Sequence, residues 1–252
     1  MNNYKLKVAY NGKYFCGFQI QDDCKTVEGE LKRVLSQVFD EDIKIIASGR
    51  TDAGVHAIDQ VVNIKTSNKR RVENLRSALK KMLPEGVDIL DIEEVGFDFN
   101  ARKCAVKREY KYIFSDSEIP ISLKDFVCEC NFEIDTRLFS DLEKLLVGKK
   151  DFRRFRKLGS NEKTTVREIF KVDFRLLELV DIYSNKFSCY EFRIIGSSFL
   201  YRMVRNIMGA IFEIFRGKRT LEDFSKLFEA DYLGYQYSAA PAKGLGLYKV
   251  YY

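Results

Sequence analysis

Hydrophobic positions along this chain switch between two periods, and the switches mark out elements. Residues 6–10 (LKVAY) alternate and predict a strand. Val27, Leu31, Val34, Leu35 and Val38 recur every three or four residues and predict a helix. Residues 43–47 are apolar and partly β-branched, so a strand follows, and residues 48–54 are rich in turn formers and predict a loop. Residues 60–65 return as a strand. Val72, Leu75, Leu79 and Met82 mark a second helix, which Pro84 and Gly86 close. Residues 87–95 predict a further strand.

The second half repeats the alternation. Over residues 106–114, Arg108, Tyr110, Tyr112 and Phe114 fall on one face of a strand. Leu138, Leu142, Leu145 and Leu146 form a helical stripe. Residues 166–176 and 190–195 read as two strands able to pair. Leu200, Val204, Ile207, Ile211 and Phe215 line another helix, and residues 245–251 form a last strand. Strands flank amphipathic helices in both halves, which predicts an α+β protein of two similar lobes, 1–101 and 102–252, around a shared sheet. With three prolines in the chain, no long linker is expected between them.

Composition narrows the chemistry. The chain has 252 residues and 46% hydrophobic residues, enough to bury a core without disulfides or metals. The net charge of +6 is compatible with a polyanionic partner but does not require one. The first residues lack an apolar signal core, and no apolar run approaches the roughly 18 residues of a membrane span, so a cytoplasmic protein is expected. Six cysteines lack the spacing of a zinc site and are expected to be reduced and packed in or near the core. The single histidine, His56, excludes multi-histidine metal sites and leaves one possible base for a hydrolase triad, for which no nucleophile motif exists. His56 itself reads as a packed or hydrogen-bonded structural residue. No GxGxxG or Walker pattern supports a nucleotide, so no cofactor and no metal are expected.

The densest signal is SGRTDAGVHA, residues 48–57. Two glycines bracket Arg-Thr-Asp just after a strand, where they permit a tight backbone and close approach by another molecule. Asp52 beside Arg50 is a candidate catalytic carboxylate. The alternative from the residues alone is a turn whose aspartate caps the next element.

SGRTDAGVHA closely resembles the signature of the tRNA pseudouridine synthase A family. Further segments resemble family motifs in order: YNGKYFCGFQ (10–19), FNARKCAVKREYKYIF (99–114), GKKDFRRFRK (148–157), GSSFLYRMVRNIMG (196–209) and APAKGLGLYKV (240–250). The resemblance spans nearly the whole chain. It implies a pseudouridine synthase fold, two ferredoxin-like lobes sharing a mixed, mainly antiparallel sheet with a central active-site cleft. It implies an isomerase acting on uridines 38, 39 and 40 in the anticodon stem-loop of tRNA, as a homodimer. Asp52 matches the catalytic aspartate. Tyr110 matches the tyrosine expected to stack on the target uracil, and Arg205 the arginine expected to pair with Asp52. Arg50 is expected to help open the RNA and hold the flipped site. Leu247 matches the apolar residue against the active site, with Leu245 a nearby rival. Phe18 stands where the family usually has tryptophan; it keeps the apolar packing and loses an indole N–H.

Arg108 and the run Lys150, Arg153, Arg154 and Lys157, together with residues 69–71, Arg102, Lys103 and Lys107, read either as a solvated basic face or as an RNA-backbone track. The competing functions are a synthase of the same family with other RNA targets and a non-catalytic RNA-binding or tRNA-folding protein. Binding alone does not require Asp52, Tyr110 and Arg205 together.

Overall fold

A computed structural model describes residues 1–157, 162–181, 183–229, 231–232 and 234–252. Two compact units emerge: Met1–Val106 with Gly246–Tyr252, and Lys107–Leu245. Both combine antiparallel strands with helices, so the α+β reading holds.

The first unit is built on β1 (Asn2–Tyr10). After it come α1 (Val27–Phe39), β2 (Ile45–Ala47), β3 (His56–Thr66), α2 (Val72–Met82) and β4 (Val87–Glu94). β1 lies between β3 and β4, antiparallel to both, and β2 pairs antiparallel with β3. Thr26 caps α1 by accepting the Gly29 N–H at 3.2 Å, and Asp40 ends it in the left-handed region. Leu31 and Leu35 are fully buried on its inner face. Each such burial stabilises the fold by ~1.5–3 kcal/mol, and truncation to alanine costs ~2–5 kcal/mol. β3 buries both faces over Val61, Val62, Asn63 and Ile64, which is why its sequence alternates poorly. Its buried Asn63 is satisfied: its Nδ2 donates to Asn3 Oδ1 at 2.9 Å and its Oδ1 accepts the Ala101 N–H at 2.8 Å.

In the second unit, β5 (Lys107–Ser115) pairs antiparallel with β9 (Lys186–Gly196). β9 pairs with β8 (Val166–Val180), and β8 with β7 (Gly148–Asp151). β6 (Cys128–Glu129) runs parallel to the end of β5. Helices α3 (Phe139–Leu146), α4 (Met203–Phe215) and α5 (Leu221–Lys226) complete the unit. The aromatic face of β5 meets α4: the Phe212 ring lies 6.0 Å from Tyr112 and 5.6 Å from Phe114. The last strand of the chain, β10 (Leu245–Tyr251), runs parallel to β3, with Gly246 and Leu247 opposite His56 and Ala57. Among the described residues, no helix is long and apolar enough to cross a membrane.

The cysteine expectation needs correcting. Cys16 and Cys24 are joined by a disulfide, and Cys104 is exposed; Cys128, Cys130 and Cys189 are buried free thiols. The chain doubles back here, the Cys16 N–H donating to the Lys25 carbonyl at 2.8 Å, which leaves the two cysteine Cα atoms 6.2 Å apart. Spacing alone does not show that reversal.

Candidate active site

Asp52 sits on the loop between β2 and β3, half-buried, between buried Thr51 and exposed Ala53. The loop turns immediately after it. The Val55 N–H donates to the Asp52 carbonyl at 3.1 Å, and Gly54, third in that turn, has φ +78°. A side chain at Gly54 would be strained, so this glycine is required by the turn. Gly49 is different: a Cβ built there meets no atom within 4 Å.

Buried hydrogen bonds fix the loop from several sides. The Ser48 hydroxyl donates to Gln60 Oε1 at 2.7 Å, and Gln60 Nε2 donates to the Gly49 carbonyl at 3.0 Å. The hydroxyls of Tyr10 and Thr51 are bonded at 2.8 Å. The Phe18 N–H donates to the Thr51 carbonyl at 3.1 Å. Phe18 is buried, its ring tilted 6.2 Å from that of Tyr10, so phenylalanine fills this core position without an indole. Arg50 is exposed. Leu247 is buried opposite Ala57, where the chain leaves the loop; Leu245 is buried too. The unit therefore places Arg50, Asp52 and Leu247 on or beside one loop end.

The second unit carries the other predicted residues. Tyr110 lies on β5 opposite Ile194, buried, with the Phe199 ring edge-on at 5.0 Å. Arg205 lies on α4, half-buried, and its Nε donates to the Ala240 carbonyl at 2.8 Å. The Ala240 N–H donates back to the Arg205 carbonyl at 2.9 Å, so the extended segment before β10 grips this arginine at both ends. Arg108 donates to the Ser197 carbonyl at 2.9 Å.

The basic run divides. Lys150 turns its ammonium onto the Leu145 carbonyl and over the Phe228 ring, and burial lowers its pKa. Arg154 donates to the Tyr232 carbonyl. Arg153 is exposed and ion-paired with Asp151 at 2.5 Å, which raises its pKa. Lys157 is exposed, its ammonium 5.2 Å from the centre of the Tyr201 ring. Two of these cations thus brace the fold and two present charge at the surface. Among the described residues, no three His, Cys, Asp or Glu side chains are placed to hold a metal ion.

Sequence reasoning passed over Tyr10, Thr51 and Gln60, which hold the loop, and Phe199 and Ala240, which hold Tyr110 and Arg205. Tyr10, Thr51, Phe199 and Ala240 all lie in the family-like motifs, so their positions were signalled without their roles. Nothing in the sequence points to the Ala240 carbonyl, because any residue supplies that atom.

The Asp52 loop, the aromatic strand β5 and the arginine-bearing helix α4 are set in an α+β fold of the kind expected for a pseudouridine synthase. The family model described as tRNA pseudouridine synthase matches residues 7–102 and 143–252. A protein of Geobacillus sp. (strain WCH70) named tRNA pseudouridine synthase A is 36% identical over 250 residues, covering 98% of this chain and 97% of its own. One of Dictyoglomus thermophilum with the same name is 38% identical over 255 residues, covering 100% of both. One of Francisella philomiragia, again so named, is 35% identical over 216 residues, covering 85% of this chain and 80% of its own. This chain belongs to the tRNA pseudouridine synthase family. The resemblance read from the motifs is met at the level of family and fold. The family match omits residues 103–142, the stretch that holds Arg108 and Tyr110.

Proposed function

We propose that this chain isomerises uridine to pseudouridine at positions 38 to 40 of the tRNA anticodon stem-loop, with Asp52 as the catalytic carboxylate. One observation carries the reading. The family's aspartate sits half-buried on a turn that buried hydrogen bonds fix on both flanks, in a chain that belongs to this family along most of its length.

The reaction breaks the N1–C1′ bond, turns the uracil and joins C1′ to C5. The C5 hydrogen leaves as a proton and N1 takes one up, so composition and oxidation state are unchanged. An ionised carboxylate serves each available path, whether it adds to the ring, attacks C1′ or abstracts a sugar proton. Tyr110 stacks on the extruded uracil, an interaction worth ~1–3 kcal/mol. Arg205 supplies the positive charge that acts with the carboxylate, and its anchorage on Ala240 keeps that charge in place. Arg50 helps open the RNA, and Leu247 forms an apolar wall. Arg108, Arg153 and Lys157 contact phosphates, while Lys150 and Arg154 hold their segment in shape. The protein works in the cytoplasm as a homodimer.

The test is position-resolved pseudouridine mapping of unmodified tRNA transcripts incubated with the purified protein and with Asp52→Asn. The wild type is expected to modify the anticodon stem-loop. The variant is expected to bind tRNA and release no tritium from C5-labelled uridine. Activity of Asp52→Asn within tenfold of wild type would sink the assignment. Modification outside the anticodon arm would point to a synthase with other targets.

A further inference from the structure

The only histidine of the chain lies four residues after Asp52, as the first residue of β3. It is buried, and its Nδ1 lies 3.1 Å from the Gly12 amide nitrogen. A backbone N–H can only donate, so Nδ1 must present its lone pair. A neutral ring then carries its proton on Nε2. Gly12 lies in the same segment as Tyr10 and Phe18, and packs directly on the backbone of Gly54 and Val55. That segment therefore grips the loop on both sides of Asp52. Before it, Thr51 is held through its hydroxyl by Tyr10 and through its carbonyl by Phe18. After it, His56 is held by Gly12, and one hydrogen-bonded turn separates that anchor from Asp52.

We propose that His56 is a positioning residue whose neutral imidazole, accepting at Nδ1 from Gly12, holds the Asp52 loop in its working geometry. This rests on Asp52 being the catalytic carboxylate. A histidine that merely filled core space would be replaceable by any side chain of similar bulk. A positioning histidine is replaceable only by one that puts an acceptor where Nδ1 stands. Asparagine does so, since its Oδ1 lies the same number of bonds from Cα as Nδ1. Glutamine carries the same amide one methylene further out, near the place of Nε2. Leucine fills the volume with no acceptor.

The experiment compares His56→Asn, His56→Gln and His56→Leu with wild type and Asp52→Asn in single-turnover tritium release and tRNA binding. A second measurement reads the ring nitrogens of ¹⁵N-histidine-labelled wild-type protein; with one histidine the assignment is unambiguous. We expect His56→Asn to keep kcat within about threefold. His56→Gln and His56→Leu are expected to lose about 10- to 100-fold in kcat with tRNA affinity unchanged, the loss that ångström-scale misplacement of a reacting group brings. The spectrum is expected to show the neutral tautomer with a bare Nδ1. Equal activity of the asparagine and glutamine variants, or a ring protonated at Nδ1 at the assay pH, overturns the proposal. If the leucine variant does not fold, the asparagine–glutamine pair and the tautomer decide. Asp52→Asn separates the two layers: if it is inactive while His56→Gln is fully active, only the role of His56 fails; if it is active, the catalytic assignment fails first.

Discussion

Gly209→Ala is the sharpest test of the role proposed for Arg205, because it leaves the arginine itself unchanged. Gly209 lies inside α4, one helical turn after Arg205. A Cβ built there stands 2.0 Å from the Ser238 carbonyl oxygen and 3.0 Å from its carbon. Both atoms are backbone, so no rotamer relieves the clash. The segment must retreat by about 1.4 Å before the oxygen reaches the 3.4 Å of ordinary contact. Two effects compete in stability. Alanine gains ~1 kcal/mol over glycine in a helix interior. Overpacking costs ~1–3 kcal/mol. The net change is expected to lie between zero and a loss of about 2 kcal/mol, and the fold survives.

Activity decides the matter. Two residues beyond Ser238, Ala240 both accepts from Arg205 Nε and donates to the Arg205 carbonyl. Moving the segment pulls that double contact apart and lets the guanidinium drift. An error near 1 Å in a reacting group costs about 100-fold. We therefore expect kcat to fall roughly 10- to 100-fold while tRNA affinity stays within about threefold. Single-turnover tritium release gives the rate, filter binding the affinity, and thermal melting the stability. A variant with wild-type melting temperature and kcat within twofold would refute the reasoning, since the close packing would then not position Arg205.

Three other outcomes follow. Gly49→Ala should melt within about 0.5 kcal/mol of wild type, because its Cβ meets open space, yet raise KM for tRNA if RNA approaches the loop there; unchanged kinetics would place the RNA elsewhere. Lys157→Gln should flatten the salt dependence of tRNA affinity by something under about one log unit per lost contact, and Lys150→Gln much less, since its ammonium is turned inward; equal flattening would show that Lys150 turns outward on RNA. The Cys128 thiol is brought down to about 7 by a hydrogen bond from Cys130, then one from Tyr112, then the charges of Lys243 and Arg216, against burial. Its folded pKa lies below the ordinary value of 9, so its stabilising contribution is full above about 9 and lost as pH falls through about 7. Thiolate absorbance near 240 nm should show a step centred near 7 in wild type that Cys128→Ser lacks, the other free thiols titrating at higher pH in both; a wild-type step only above about 8.5 would contradict that environment.

Most elements were legible because each buries one regular face. The stripe Val27, Leu31, Val34 and Leu35 is buried along α1, and the alternation Tyr110, Tyr112, Phe114 is buried along β5. Three elements escaped for physical reasons, the first being β6, whose two residues are too few to show a period. β7 reads Gly-Lys-Lys-Asp and has no apolar alternation; it exists through its main-chain ladder to β8. α5 has six residues and a single fully buried side chain, Phe224, too short for periodicity. Its capping box, with Thr220 and Asp223 bonded reciprocally, was the readable sign. The parallel pairing of Gly246 and Leu247 with His56 and Ala57 leaves no local trace at all, since its partners lie far apart in sequence.

The site divides along the same line. Motifs single out the side chains whose chemistry is specific: Asp52, Tyr110, Arg205. What holds those side chains is largely backbone, and backbone atoms are the same in every residue. The Thr51 carbonyl, the Gly12 amide and the Ala240 carbonyl each fix a motif residue, and no substitution pattern at those positions would announce it. Only the partner side of each bond is visible in sequence, as a residue type with no evident task. His56 is such a residue. In sequence it is a lone histidine inside the SGRTDAGVHA motif, read as packed or hydrogen-bonded with no partner named. The Gly12 amide makes the difference, because a donor that cannot be reversed dictates which ring nitrogen is bare. A histidine bound in this way is poorly suited to trade protons through Nδ1 and well suited to hold a loop still.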